Sequence, residues 1–128
     1  LTRTNAMPIH DLFPKDASLQ LKATLRVYCE GEKFFGPGKL TLLELIHETG
    51  SISQAAKKMG LSYKKAWGMV EALNSQAIRP IVIKQPGGSK GGKTLITEDG
   101  LALMEAFRRL DNNFKDFLAA QLPQFLGT

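Results

Sequence analysis

The sequence predicts a mixed α/β chain, mainly helical, built from a compact helix pair, a short antiparallel hairpin and a long final helix. Three observations carry that prediction. Residues 50–74, GSISQAAKKMGLSYKKAWGMVEALN, read as two helices around a tight glycine turn. Two β-branched runs, residues 80–84 and 95–97, enclose a loop of glycine and lysine. After Thr97, apolar residues recur at helical spacing almost to the end of the chain.

The elements follow in order. Residues 1–18 are polar and proline-punctuated and are expected to be loosely ordered, with residues 19–128 forming the folded domain. Because the first residue is Leu1 rather than Met, residues 1–6 are expected to be a processed or added tail. Residues 20–30, QLKATLRVYCE, alternate strictly, with Leu21, Ala23, Leu25, Val27 and Cys29 on one side. That pattern predicts a half-buried strand that joins the later hairpin, with Cys29 as a small core residue. A turn-rich link, residues 31–38, leads to a helix that opens at Pro37, buries Leu42, Leu43, Leu45 and Ile46, and stops at Gly50.

Within the helix pair, Ser53 is expected to cap the first helix, whose Ala55, Ala56 and Met59 share one face. Gly60 provides the stop, Leu61 plugs the corner and Ser62 caps the second helix. Ala66, Met69, Val70 and Leu73 form that helix's apolar stripe, leaving Tyr63, Lys64, Trp67, Glu71 and Asn74 outside it. Small residues at 55 and 56 allow a close helix crossing, and Gly60 supplies the positive φ of a tight turn. This is the layout of a helix-turn-helix whose second helix enters the DNA major groove. A hairpin directly after it, with the mobile cationic loop QPGGSKGGKT at its tip, makes a winged helix. The last helix is capped by Thr97, with Glu98 and Asp99 in its first turn. Its residues Leu103, Phe107, Leu110, Phe114 and Phe117 step by four, three, four and three, a coiled-coil seam, with Leu118 alongside.

Charge is concentrated where this layout needs it. Between Lys57 and Lys93 stand eight Lys or Arg and one acid, Glu71, a net +7 in a chain of net +5. A basic segment on a candidate DNA-reading element favours an anionic partner.

GSISQAAKKMGLSYKKAW, the later GGSKGGKT and the TEDG after it resemble the DNA-binding domain of the ModE family of molybdate-responsive regulators. The pairing of Ser-Tyr-Lys with Ala-Trp and the glycine-lysine wing carry the likeness, which covers roughly residues 20–118. A more distant similarity runs to LysR-type regulators, which share the glycine-serine opening and paired alanines. The resemblance implies a dimeric winged helix on operator DNA. Full-length regulators of this family add C-terminal oxyanion-binding domains, and this chain ends at Thr128. A stand-alone version is therefore expected, with no molybdate site.

Other chemistries find little support. Gly87–Thr94 fits the phosphate-loop formula G-x-x-x-x-G-K-T, in which Lys93 would neutralise phosphate and Thr94 would bind Mg²⁺. Such a loop must open a helix at the Lys-Thr step, and residues 95–97 read as strand instead. His10, His47 and Cys29 give no metal-ligand spacing and no nucleophile–base pair. No enzyme, cofactor or metal is expected. No apolar run approaches the roughly 18 residues of a membrane span, and the expected location is the cytoplasm.

The function read from the sequence is sequence-specific binding of double-stranded DNA by a homodimer that controls transcription. Ser53, Ser62, Tyr63, Lys64, Lys65 and Trp67 are the contacts expected from the helix pair. Ser89, Lys90, Lys93 and Thr94 are those expected from the wing. Leu103, Phe107, Leu110, Phe114, Phe117 and Leu118 are assigned to the dimer interface. The rival from another class is a winged helix that binds a protein rather than DNA.

Overall fold

The structure, a computed structural model of the chain, describes residues 8–87 and 92–127. It is a mixed α/β arrangement of four α-helices and two small antiparallel sheets. By compactness it divides into residues 24–109 and a second unit made of residues up to 23 and from 110 onward.

In the larger unit, β1 (Val27–Cys29) pairs with β2 (Glu32–Phe35). Glu30 and Gly31 connect them with φ of 51° and 78°. Positive φ at both central residues is what the tight, primed hairpin turns demand. The predicted strand over 20–30 is thus reduced to three residues, and the predicted link contains its partner strand. Pro37 begins a helix only two residues after Phe35, so β2 is short and nothing remains to pair with residues 20–26. This pair also forms its own sheet instead of joining the later hairpin. Cys29, expected in the core, is exposed, because it lies at the turn end of a three-residue ladder.

Helix α1 (Pro37–Thr49) has the predicted bounds and ends at Gly50, which is left-handed at φ 70°. Helix α2 (Ile52–Met59) and α3 (Tyr63–Gln76) follow. The hairpin β3 (Val82–Gln85) and β4 (Lys93–Ile96) pairs Val82 with Ile96 and Gln85 with Lys93. Helix α4 (Glu98–Leu126) opens on Thr97, whose Oγ1 accepts from Gly100 N at 3.0 Å, as the sequence predicts.

One apolar core unites these elements. Leu42, Leu43 and Ile46 of α1 meet Ala55 and Ala56 of α2 and Ala66 and Leu73 of α3. Ile81, Val82 and Ile96 close it from the hairpin side, and Met104 and Phe107 from the first part of α4. Phe35 and Phe107 pack edge to face, with ring centroids 5.2 Å apart. Arg108 donates twice to Glu44 Oε2, at 3.1 and 2.8 Å, tying α4 to α1. Arg79 holds the Asp99 carboxyl below its ordinary range, chiefly by hydrogen bonding. The stability this adds is present above the usual carboxylate pKa and lost as pH falls through the depressed value. Both groups are exposed, so the effect is small.

The second unit is organised differently. A 3₁₀ turn (Ile9–Leu12) and the rest of α4 are its regular elements. Among its described residues none is buried, whereas the larger unit has a full core.

Gly100 is buried in the first turn of α4, and a side chain there has no room. A Cβ would stand 2.6 Å from both the Ile81 oxygen and Ile96 Cγ2. Gly100→Ala should therefore cost roughly 1–3 kcal/mol, seen as a lower urea midpoint. An unchanged midpoint would mean that the hairpin yields without strain.

Candidate nucleic-acid interface

The α2–α3 corner is built by local capping. Ser51, not Ser53, caps α2: its side chain accepts from Gln54 N at 3.1 Å. Gly50 ends α1 and leaves Ser51 extended, while Ile52 is drawn into the core as the first helical residue. Ser53 lies in the first turn and is exposed. Gly60 is left-handed at φ 68°, and Leu61 N reaches back to Ala56 O at 2.9 Å. Ser62 Oγ accepts from Lys65 N at 3.1 Å, which starts α3 where the sequence places it.

This capping sets the exposed residues of α3. Ala66, Val70 and Leu73 are buried beneath the helix. Tyr63, Lys64, Lys65 and Trp67 are exposed, with Tyr63 48% and Trp67 38% accessible despite their aromatic rings. Trp67 is therefore not buried beneath the hairpin. Lys57 and Lys58 on α2 and Lys84 and Lys93 on the hairpin are also exposed. Thr94 is only 8% accessible, and its amide donates to Gly50 O at 2.9 Å. Ser89 and Lys90 lie outside the described residues.

Asn74 is the residue the sequence reading misplaced. Expected on the outer face of α3, it instead fastens α3 to the hairpin. Its Oδ1 accepts from Ile81 N at 2.8 Å and Val82 N at 3.1 Å, and its Nδ2 donates to Val82 O at 2.9 Å. Thr97, just after β4, closes the base of the hairpin by donating from Oγ1 to Pro80 O at 2.8 Å. The signal available was an amide side chain late in a helix, eight residues before a β-branched run. Such a residue can serve backbone groups that have no ladder partner.

The phosphate-loop alternative loses its required geometry. Lys93 and Thr94 lie within β4, paired with Gln85 and Lys84, so no helix opens at that step. Among the described residues no group of three His, Cys, Asp or Glu could hold a metal ion. No helix is long and apolar enough to cross a membrane among those residues.

Comparison with known proteins finds ModE and related molybdenum proteins similar to part of the chain. It is 38% identical over 92 residues to the molybdenum transport protein ModE of Azotobacter vinelandii, covering 70% of this chain and 34% of that protein. It is 41% identical over 91 residues to the molybdenum-pterin-binding protein MopA of Rhodobacter capsulatus, covering 71% and 34%. The DNA-binding transcriptional dual regulator ModE of Escherichia coli K12 is 33% identical over 89 residues, covering 70% and 34%. The chain thus spans about a third of the length of these relatives. No protein-family model matches it. The likeness to ModE read from the helix pair and the glycine-lysine loop is found again in these comparisons, over about 70% of this chain and 34% of each relative.

The Asn74 fastening can be tested alone. Asn74→Ala leaves the Ile81 and Val82 amides without their acceptor and should cost roughly 1–3 kcal/mol. Asn74→Asp keeps the acceptor, loses the donor and should fall between. Amide hydrogen exchange at Ile81 and Val82 should accelerate in the alanine variant. Unaltered exchange would show that the side chain does not hold the strand.

Proposed function

We propose that the chain is a winged helix-turn-helix that binds double-stranded DNA sequence-specifically as a homodimer, for transcriptional control. The observation that supports this most is the coincidence of exposed charge with architecture. Ser62-capped α3 presents Tyr63, Lys64 and Lys65 in its first exposed turn, beside a hairpin fastened to the same helix by Asn74. Helix-turn-helix proteins enter the major groove with the N-terminal end of the second helix. On this reading Lys64 or Lys65 donates to guanine N7 and O6, and Ser62 and Tyr63 bond phosphate or base edges. Trp67 lies against sugar, and Ser53 faces the backbone from α2. The hairpin is the wing, whose Ser89, Lys90 and Lys93 hold phosphates. Thr94 contributes to the wing through its backbone, as an anchor to Gly50. The ModE relatives, described as transcriptional regulators, point the same way.

Two features of the chain support the dimer. Residues 24–109 carry 13 Lys or Arg and 8 Asp or Glu, while the remaining stretches carry four of each. The basic part faces DNA, and the electrically neutral part associates without repulsion. That neutral unit has no buried residue among those described and leaves Leu110 and Phe117 about half exposed. Of the seam named from the sequence, Phe107 is engaged in the chain's own core and Leu103 packs against it. Leu110, Phe114, Phe117 and Leu118 remain for a second copy. A symmetric dimer carries two copies of α3, so the operator should be close to palindromic.

Duplexes recovered by selection from a randomised library test the reading directly. Lys64→Ala or Lys65→Ala should lose about 1–3 kcal/mol on the selected site beyond the loss on random DNA. Equal losses on both DNAs would leave these lysines as phosphate clamps. Failure to recover any preferred duplex would remove the proposal. Phe114→Asp combined with Phe117→Asp should give a folded monomer with much weaker operator binding. A monomeric unmodified protein in sedimentation at micromolar concentration would remove both the dimer and the palindrome.

A further inference from the structure

Gly68 sits in the middle of α3, where glycine is the least favourable helix former after proline. Nothing among the described residues requires it there. A Cβ at Gly68 would meet no atom within 4 Å, and its φ is not in the left-handed range. Gly68 instead lines a shallow, open groove of about 560 Å³ on the surface. Its lining is mostly apolar, with Gly68, Met69 and Ala72 alongside Ser62 and the side chains of Lys39, Lys64 and Lys65. Lys39 comes from α1 and is held in place by donating to Phe34 O at 2.9 Å. Lys64, Gly68 and Ala72 follow one another at four-residue intervals, so the stripe that starts among the α3 lysines runs onto the apolar part of the lining.

The geometry points to this groove as a specificity subsite for the 5-methyl edge of a thymine, with the flanking phosphates held by Lys39 and by whichever of Lys64 and Lys65 does not read guanine. The inference rests on the DNA-binding reading above and deepens it. A mostly apolar lining that includes three lysines is complementary to a DNA strand, which offers an apolar methyl between anionic phosphates. Thymine is the base with an apolar group on its major-groove edge, so the apolar lining discriminates by contact. A bare glycine lets the helix backbone approach that edge closely. Lys39, outside every motif in the sequence, becomes a phosphate contact from a third helix. Partial burial also lowers its ammonium below the usual lysine value, leaving a less hydrated cation for an anion to meet.

The test uses the duplex recovered by selection and variants that cannot fail merely through misfolding. Gly68→Ala reduces the conformational freedom of the unfolded chain and fills open space, so its melting midpoint should rise. Gly68→Leu should fold as well and weaken binding to the selected duplex about tenfold through overpacking against the DNA. Deoxyuridine in place of thymine, scanned along each half-site, should weaken wild-type binding about fourfold at one position, the worth of one methyl. That penalty should vanish in Gly68→Leu. A protein that binds the selected duplex but tolerates both Gly68→Leu and every uracil overturns the subsite and leaves the DNA reading standing. A protein that selects no duplex overturns both. If Gly68→Leu spares the duplex and instead abolishes capture of an acidic helical peptide, the groove belongs to a protein partner and the inference falls.

Discussion

The arrangement of this molecule depends on one side chain, Asn74, that serves three backbone groups of a neighbouring strand. A two-stranded hairpin alone is marginal in water. Here its first strand begins with amides and a carbonyl that the opposite strand does not serve, and an amide side chain has the donor and acceptor to satisfy both kinds. Because Asn74 belongs to the same helix that carries Tyr63, Lys64 and Trp67, the hairpin is positioned relative to those residues by a direct bond. The second strand is positioned by Thr94 N on Gly50 O, at the corner where α1 gives way to α2. The hairpin is therefore tied to α3 through its first strand and to the α1–α2 corner through its second, which sets the spacing of its exposed lysines from those of α3.

Around that constraint the chain separates its duties by charge and burial. The core of residues 24–109 is packed with aliphatic side chains beneath a surface that holds all of the net positive charge. The remaining unit is neutral overall and, among its described residues, buries nothing fully. A continuous α4 contributes to both, giving Met104 and Phe107 to the core and leaving Leu110 and Phe117 exposed. Exposed large apolar side chains occur in both units, and in the neutral one Leu110, Phe117 and Phe125 of α4 are among them.

Much of this was legible because capping is local chemistry. Gly50, Gly60, Ser62 and Thr97 terminate or start helices as read, since left-handed φ and side-chain acceptance depend on one residue and its near neighbours. Ser51 and Ser53 could not be told apart by pattern, because the choice depends on Ile52 entering the core. The strand expected over 20–30 failed for a non-local reason: alternation shows where a strand could form, but only a partner of equal length makes one. The Glu30–Gly31 turn was missed because a two-residue hairpin with glutamate at positive φ is uncommon. Asn74 was legible as polar and helical, not as a strand anchor. Gly68 and Lys39 carried no motif, and only the groove they share brings them together.

The salt dependence of binding to random duplex DNA tests the central claim most directly, since it needs no operator and no variant. Each phosphate contact contributes a slope of about −0.9 to log K against log salt. With four to six of the basic residues between Lys57 and Lys93 on phosphate, the slope should be roughly −3.6 to −5.4. A slope near zero, or no binding to duplex at low salt, would contradict a DNA-facing surface and make the exposed lysines an ordinary solvated face.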